Sequence, residues 1–223
     1  MKAKAGTRQN RKPEGDHKVY VIGITGAIGA GKSEIVKYIK EHYRCRIFLT
    51  DEIAQEVSAP GGMAYSRLRE LLPKDAFDKK TGCMDRVRTA ELMYADPTLR
   101  ERMNDVIHPA VGIYLGAEIE QEKRKGRMDF LIIESALYDG DGFALLCREV
   151  WNVSAPEEVR LRRLMESRGY SEEKARSIFE SQRKYDKMRA RLGVQIDNGG
   201  DLAHAYAQVD RELTRLLPDS RRL

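Results

Sequence analysis

The feature that most constrains this 223-residue chain is the segment from Gly26 to Ser33, GAIGAGKS, which fits the phosphate-loop pattern G-x-x-x-x-G-K-[ST]. It follows an apolar, β-branched run and precedes an amphipathic stretch, so it joins a predicted strand to a predicted helix. Glycines let backbone N–H groups turn inward around phosphate oxygens, and a helix that begins there adds the positive end of its dipole. The sequence therefore predicts a binding site for nucleotide phosphates.

The candidate nucleotide-binding residues of this loop are Gly26, Ala27, Ile28, Gly29, Ala30, Gly31, Lys32 and Ser33. Lys32 can reach the outer phosphates, and Ser33 can supply a hydroxyl to Mg²⁺. A glycine-rich turn that binds nothing is the alternative, but the flanking strand and helix favour nucleotide binding. A dinucleotide-binding G-x-G-x-x-G is disfavoured, because Glu34 stands where its third glycine would be needed.

The net charge of +5 comes mostly from one end of the chain. Residues 1–18 contain six basic and two acidic side chains, which accounts for +4 of that total. A nucleic-acid-binding protein is expected to spread its positive charge over a face. We therefore predict a disordered basic tail over residues 1–17 and no nucleic-acid partner.

The chain has three cysteines, Cys45, Cys83 and Cys147, which are widely separated and form no C-x-x-C pair. This usage favours a reduced, cytoplasmic environment. No apolar run reaches the ~18 residues that a membrane span needs, and the N-terminus lacks the apolar segment of a secretory signal. We expect no membrane partner, and a monomer or weak oligomer.

Apolar, β-branched runs alternate with helical patterns along most of the chain. Strands are predicted at residues 18–25, 46–50, 129–134, 150–153 and 194–196. Helices are predicted at residues 31–42, 52–58, 63–72, 86–94, 97–107, 110–125, 156–168, 171–183 and 202–217, with His108-Pro109 separating two of them. This alternation predicts a parallel sheet with helices on both faces. We assign residues 18–58 and 128–217 to a nucleotide-binding core and residues 59–127 to a helical, substrate-binding insertion.

Arginines crowd the predicted helix at residues 156–168, namely Arg160, Arg162, Arg163 and Arg168. Such a run is usually a solvated helix face. After a phosphate loop, however, arginines on a mobile helix can close on the negative charge that develops during phosphoryl transfer and exclude water. We therefore predict an arginine-rich lid at about residues 156–183.

Two carboxylates are placed at the carboxyl ends of predicted strands, where ligands of parallel sheets bind. Asp51 can accept a proton from, or orient, a hydroxyl that attacks a γ-phosphate, or it can cap the following helix. Glu134 can hold Mg²⁺ through water or orient the attacking group, or it can be paired with a nearby base. The residues alone leave these alternatives open.

Together, these features resemble the dephospho-CoA kinase family. The resemblance rests on Ile24-Thr25 and the loop, Asp51-Glu52-Ile53-Ala54, Gly82 with Asp85-Arg86, Val106-Ile107-His108-Pro109, Ala155-Pro156-Glu157, Gln182 and Ile196-Asp197-Asn198 with Gly200. It implies a P-loop NTPase fold of the α/β class, with a five-stranded parallel sheet, a helical substrate-binding insertion and a lid. It also implies transfer of the γ-phosphate of ATP, with Mg²⁺, to the ribose 3′-hydroxyl of a small-molecule substrate, dephospho-CoA.

The resemblance assigns a role to each matching position. It implies that Lys32, Asp51 and Arg163 are catalytic residues. Asp51, Arg86 and His108 are implied to bind the acceptor substrate. Ile196, Asn198 and Gly200 are implied to lie beside the adenine of the nucleotide. Ser33, and by its position Glu134, are the candidate metal ligands.

The chain departs from the family pattern at three places and in its lid. It has Leu49-Thr50-Asp51 for Asp-x-Asp, Ser135-Ala136-Leu137 for Pro-Leu-Leu, and Leu192-Gly193 for Ala-Asp, and Arg163 and Arg168 stand one residue further apart than the family pair. The first two departures bear on the acceptor, so a kinase that phosphorylates a nucleoside or nucleotide is the main alternative.

Two other classes of protein are possible. The first is a GTP-binding switch, for which Asp139-Gly140-Asp141-Gly142 offers a D-x-x-G, although the chain lacks the Asn-Lys-x-Asp that reads guanine. The second is a nucleotide-binding module without catalytic activity.

Overall fold

A computed structural model describes residues 18–136 and 142–217. The predicted tail at residues 1–17 and most of the D-x-x-G segment lie outside these residues. At the centre is a five-stranded parallel sheet with the strand order β2-β3-β1-β4-β5. The strands are Tyr20–Gly26 (β1), Cys45–Leu49 (β2), Phe130–Glu134 (β3), Glu149–Ser154 (β4) and Val194–Asp197 (β5). Each of the five strands predicted from the sequence is therefore present, displaced by at most two residues at either end, and the predicted five-stranded parallel sheet is confirmed.

Burial explains why the sequences of β1 and β3 are almost continuously apolar. All seven residues of β1 are buried, as are the first four of β3, because helices cover both faces of the sheet. The register places Glu134 beside Ile24 on β1 and beside Leu49 on β2. The carboxyl ends of these three strands therefore lie at one edge of the sheet, where the phosphate loop leaves β1.

Eight α-helices and two 3₁₀ turns connect the strands of the described ranges. The helices are Lys32–His42 (α1), Thr50–Ser58 (α2), Tyr65–Leu71 (α3), Arg86–Ala95 (α4), Pro97–Lys125 (α5), Glu157–Arg168 (α6), Glu172–Arg189 (α7) and Leu202–Leu216 (α8), and the 3₁₀ turns are Lys74–Ala76 and Gly142–Leu146. Within these ranges, no helix is both long enough and apolar enough to cross a membrane.

Two apolar cores hold these layers together. On one face, side chains of α1 and α8 such as Ile35, Ile39 and Val209 pack against Ile22 and Trp151 of the sheet. On the other face, helices of the segment 59–127 pack against the sheet together with α2, and their core includes Leu68, Leu115, Val21 and Leu131. The segment 59–127 thus shares a core with the sheet, and its separate role in substrate binding stays a prediction.

The helix break predicted at His108-Pro109 is wrong. Residues 97–125 form one helix of 29 residues, α5, with Pro109 inside it. An internal proline removes one backbone hydrogen bond and costs about 3 kcal/mol. Leu99 and Met103 before the proline, and Leu115 and Ile119 after it, are all buried in the same core. Because burying each of these side chains contributes about 1.5–3 kcal/mol, packing outweighs the penalty.

Other boundaries follow from local signals. Asp85 caps α4, because its carboxylate accepts hydrogen bonds from the N–H groups of Val87 and Arg88 at 2.9 and 3.0 Å. The predicted helix at residues 171–183 extends six residues further, to Arg189. Its last turn is anchored by contacts that are distant in sequence, so the local pattern does not show where it ends.

Candidate active site

The phosphate loop needs glycine at three positions. Gly29 and Gly31 have φ angles of +80° and +88°, which side chains of L-residues rarely adopt. A Cβ atom on Gly26 would lie 2.4 Å from the carbonyl oxygen of Val153 on β4, and one on Gly31 would lie 2.2 Å from Nδ2 of Asn198. The loop is therefore held against the neighbouring strand and the segment after β5, in the conformation that its glycines permit.

We expect Gly31→Ala to lower both thermal stability and ATP affinity, because a non-glycine residue at this φ costs about 1–3 kcal/mol and its Cβ would displace Asn198. The matched control is Gly116→Ala on α5, where an added Cβ meets nothing within 4 Å. That change should raise stability slightly, since alanine is the better helix former. Thermal melts and ATP titrations of both variants test this, and equal behaviour of the two would contradict it.

Lys32 and Glu134 form the charged centre of the loop. The ammonium of Lys32 donates a hydrogen bond to the carbonyl oxygen of Gly26 at 2.9 Å and lies 3.8 Å from a carboxylate oxygen of Glu134. Burial lowers the pKa of Lys32 and raises that of Glu134, and the attraction between the two groups opposes both shifts. The structure thus gives Glu134 a basic partner.

The loop forms one wall of a cleft of about 600 Å³, here called the loop cleft. Its other lining residues include Asp51, Ala136, Arg163, Arg168 and Gln182. Ser33 is exposed and lies in this lining, at the start of α1. An anion in the cleft would therefore meet the loop, the N-terminus of a helix and basic side chains together.

Asp51 is the second residue of α2, and the residue before that helix is Leu49, so the predicted capping role of Asp51 is wrong. The helix begins at Thr50, two residues earlier than predicted, which puts Asp51 inside the first turn and not at the capping position. Asp51 lines the loop cleft and also a second pocket of about 290 Å³. Its carboxylate therefore belongs to the boundary between the two spaces.

The four arginines predicted for the lid have different environments. Arg163 donates to the carbonyl oxygens of Ala30, at 3.3 Å, and Asn198, at 2.8 Å, so α6 lies directly on the loop. Arg168 is exposed and borders the loop cleft. Arg160 is buried, with its guanidinium 4.5 Å from the ring centre of Phe179 on α7, and Arg162 is exposed.

The three residues predicted to border the adenine are not equivalent. Asn198 is 1% exposed and donates from Nδ2 to the carbonyl oxygen of Ala30 at 2.9 Å, so it supports the loop. Ile196 is fully buried in the core that the sheet forms with α1 and α8. Gly200 is exposed, and no described atom outside its immediate neighbours lies within 4 Å of the Cβ that it lacks. Their predicted contacts with adenine stay predictions.

The second pocket contains one of the two residues predicted for the substrate side. His108 lines it, together with Thr50, Asn104, Ser135 and Phe143. Arg86 lies elsewhere: it is exposed at the start of α4 and donates a hydrogen bond to the side chain of Gln55 on α2. The structure therefore places Asp51 and His108 around one pocket and Arg86 outside its lining.

Sequence reasoning missed two residues of this region. Asn104 lines the second pocket one helical turn before His108, a spacing that becomes visible once α5 is known to be continuous. Arg189 is only 1% exposed, although it ends a helix rich in charged residues. No local signal identifies that burial, because an arginine in such a helix normally faces solvent.

Comparison with known proteins relates this chain to one family. A family model for dephospho-CoA kinase matches residues 20–204. The dephospho-CoA kinase of Aromatoleum aromaticum is 33% identical over 208 residues, which cover 91% of this chain and 96% of that protein. The dephospho-CoA kinase of Moorella thermoacetica is also 33% identical, over 90% of this chain and 95% of that protein.

Solved structures show the same fold. A protein from Thermus thermophilus superposes with a TM-score of 0.72 and 26% identity, covering 89% of this chain and 98% of its own. The dephospho-CoA kinase from Campylobacter jejuni superposes with a TM-score of 0.64 over the same shares of the two chains, at 16% identity. The chain belongs to the dephospho-CoA kinase family, whose members are ATP-dependent phosphotransferases.

Proposed function

We propose that the chain transfers the γ-phosphate of ATP to the ribose 3′-hydroxyl of dephospho-CoA, the last step of coenzyme A synthesis. The observation that carries this proposal is that Asp51 lines both the loop cleft and the second pocket. A phosphoryl transfer needs donor and acceptor to meet at one point, with a group that handles the attacking hydroxyl. The position of Asp51 in the lining of both spaces supports this role.

In the proposed reaction, the loop and the N-terminus of α1 bind the phosphates of ATP, with Lys32 at the outer ones. Asp51 orients the acceptor hydroxyl and accepts its proton as the new O–P bond forms. The bond from the γ-phosphorus to the bridging oxygen breaks, and ADP leaves with that oxygen. Arg163 and Arg168 on α6 supply positive charge above the transferred group, and α6 and α7 exclude water.

The lining of the loop cleft includes the side-chain oxygens of Ser33 and Asp51, which are of the ligand type that Mg²⁺ prefers. We assign its protein ligands to Ser33, directly, and to Glu134, through water. The part of the chain that the structure describes has no cluster of three or more His, Cys, Asp or Glu side chains suited to a metal. This agrees with Mg²⁺, which keeps several waters and is usually bound by one or two protein oxygens together with substrate phosphates. Bound there, the ion would neutralise charge on the phosphates.

We expect Glu134→Gln to raise the Mg²⁺ concentration needed for half-maximal rate, with Mn²⁺ restoring part of the loss. Glutamine keeps the size of the side chain but removes the charge that attracts the ion. The matched control is Glu149→Gln, whose carboxylate is also paired with a basic side chain, Arg215, but lies at the amino end of β4, whereas Glu134 lies at the carboxyl end of β3. Rates measured over a Mg²⁺ titration test the metal role, and an unchanged midpoint would assign Glu134 to its ion pair with Lys32 alone.

A kinase acting on a nucleoside or nucleotide remains the alternative, since two of the departures from the family pattern lie at the second pocket. Thr50 and Ser135, within the altered Leu49-Thr50-Asp51 and Ser135-Ala136-Leu137 segments, both line that pocket. We expect ADP release with dephospho-CoA to exceed that with adenosine or any nucleoside monophosphate. A faster rate with one of those acceptors would support the alternative.

We also propose that the protein acts in the cytoplasm as a monomer or weak oligomer, without a nucleic-acid partner. All three cysteines are free thiols, which suits a reducing compartment. Basic side chains outside the N-terminal segment are often paired with acids; for example, Arg46 contacts both Glu118 and Glu122 at 2.6 Å.

A further inference from the structure

Arg189 is the most deeply buried charged side chain in the described ranges, at 1% exposure. It is the last residue of α7, and its guanidinium forms an ion pair with Asp186, one turn earlier. It also donates a hydrogen bond to the carbonyl oxygen of Ala136 at 3.3 Å. Arginine is almost never fully buried without partners, and these two contacts satisfy much of its charge.

The contacts of Arg189 join three parts of the active site. Ala136, which follows β3 by two residues, lines the loop cleft. Asp186 also lies 3.7 Å from the guanidinium of buried Arg160 on α6. The backbone of Arg160 in turn packs on the loop, so closely that a Cβ on Gly29 would lie 2.9 Å from its carbonyl oxygen. A continuous set of contacts thus runs from the end of α7 to the lining of the cleft and to the loop.

The charge of Arg189 also acts on Lys32. The pKa of Lys32 is lowered mainly by burial, and the positive charges of Arg189 and Arg168 lower it further, against the opposing attraction of Glu134 and Asp51. Arg189 and Lys32 are therefore close enough for the charge of one to act on the other. In a site shielded from water, such fixed charges act more strongly than they do in solution.

We propose that Arg189 is a positioning residue for phosphoryl transfer. It holds the end of α7 against the Ala136 segment of the cleft, and its fixed charge adds to that of Lys32 where negative charge develops. It acts through these neighbours, because its own side chain is covered by protein. The proposal rests on the kinase activity proposed above and adds a role for a residue at the end of α7, beyond the predicted lid.

The test compares Arg189→Met with Arg189→Lys in ATP turnover with dephospho-CoA. Methionine keeps much of the side-chain length but removes the charge and its donors, so kcat should fall about 10- to 100-fold, with the KM for both substrates changing much less. Lysine keeps the charge and should restore a large part of kcat. The matched control is Arg215→Met on α8, which also removes an arginine paired with an acid three residues earlier, and kcat should stay near wild type.

A second variant separates positioning from stability. Arg189→Met removes the nearer of the two guanidinium groups that form ion pairs with Asp186, so the protein is expected to melt at a lower temperature. In the double variant Asp186→Asn/Arg189→Met, that carboxylate charge is also removed, and part of the thermal stability should return. If Arg189 positions the reacting groups, kcat stays low in the double variant. Recovery of kcat together with stability would overturn the proposal, as would a single Met variant with wild-type kcat.

The wild-type protein in the same assay keeps this test distinct from the proposed function. No turnover of dephospho-CoA by the wild type would contradict the proposed function. Turnover by the wild type with an unchanged Arg189→Met rate would contradict only the role of Arg189. If the kcat of Arg189→Lys does not exceed that of Arg189→Met, this would also contradict the role of Arg189, because a positive charge at that position would then have no effect on the rate.

Discussion

Lys32→Ala is expected to keep the fold and to lower kcat by about a hundredfold or more, which corresponds to a loss of roughly 3–4 kcal/mol of transition-state stabilisation. The reason is geometric as well as electrostatic. The ammonium is buried at the start of α1, where it donates to Gly26 and faces Glu134, so its charge is fixed before the phosphates arrive. Alanine removes that charge and leaves the carboxylate of Glu134 without its basic partner.

The control for this prediction is Lys37→Ala, an exposed lysine on the same helix. Both variants should show the circular dichroism of the wild type, and only Lys32→Ala should lose turnover. Near-normal kcat in Lys32→Ala would contradict a catalytic role for the phosphate loop.

Asp51→Asn is expected to lower kcat by about a hundredfold or more while ATP affinity changes little, because asparagine can orient a hydroxyl but cannot take its proton. The stability change should be small. Asp51 lies in the first turn of α2 without a capping hydrogen bond, so its charge contributes at most about 1 kcal/mol through the helix dipole.

The neighbouring Glu52→Gln is a close control, since Glu52 is also in that first turn and does not line the loop cleft or the second pocket. It loses the same dipole interaction and should keep its kcat. Measurement of kcat, ATP affinity and melting temperature for both variants tests the assignment. Equal kcat in the two variants would contradict a catalytic role for Asp51 and would indicate that its role is structural.

Much of the fold could be predicted because its signals are local. The five strands are short apolar runs. Because β1 and β3 are buried on both faces, their sequences are almost continuously apolar and easy to recognise as strands. The phosphate loop is also local, since its three structurally required glycines and Lys32 lie within seven consecutive residues. The start of α4 is also a local signal, since the carboxylate of Asp85, directly before the helix, caps it.

The features that were missed depend on tertiary contacts. A proline predicts a helix break at residue 109, yet α5 continues because side chains on both sides of the proline share one core. Asp51 was expected at the end of a strand, and its place between two cavities appears only after α5 packs beside α2. The burial of Arg189 depends on Ala136, 53 positions away in the chain.

The acceptor is the central claim of the proposed function, and the product of the reaction tests it most directly. The protein is incubated with ATP, Mg²⁺ and dephospho-CoA, and the product is examined by phosphorus NMR and mass spectrometry. We predict one added phosphate, attached as a monoester to the 3′ carbon of the ribose, formed in equal amount to ADP. Hydrolysis of ATP without a phosphorylated acceptor, or a phosphate at any other position, would contradict it.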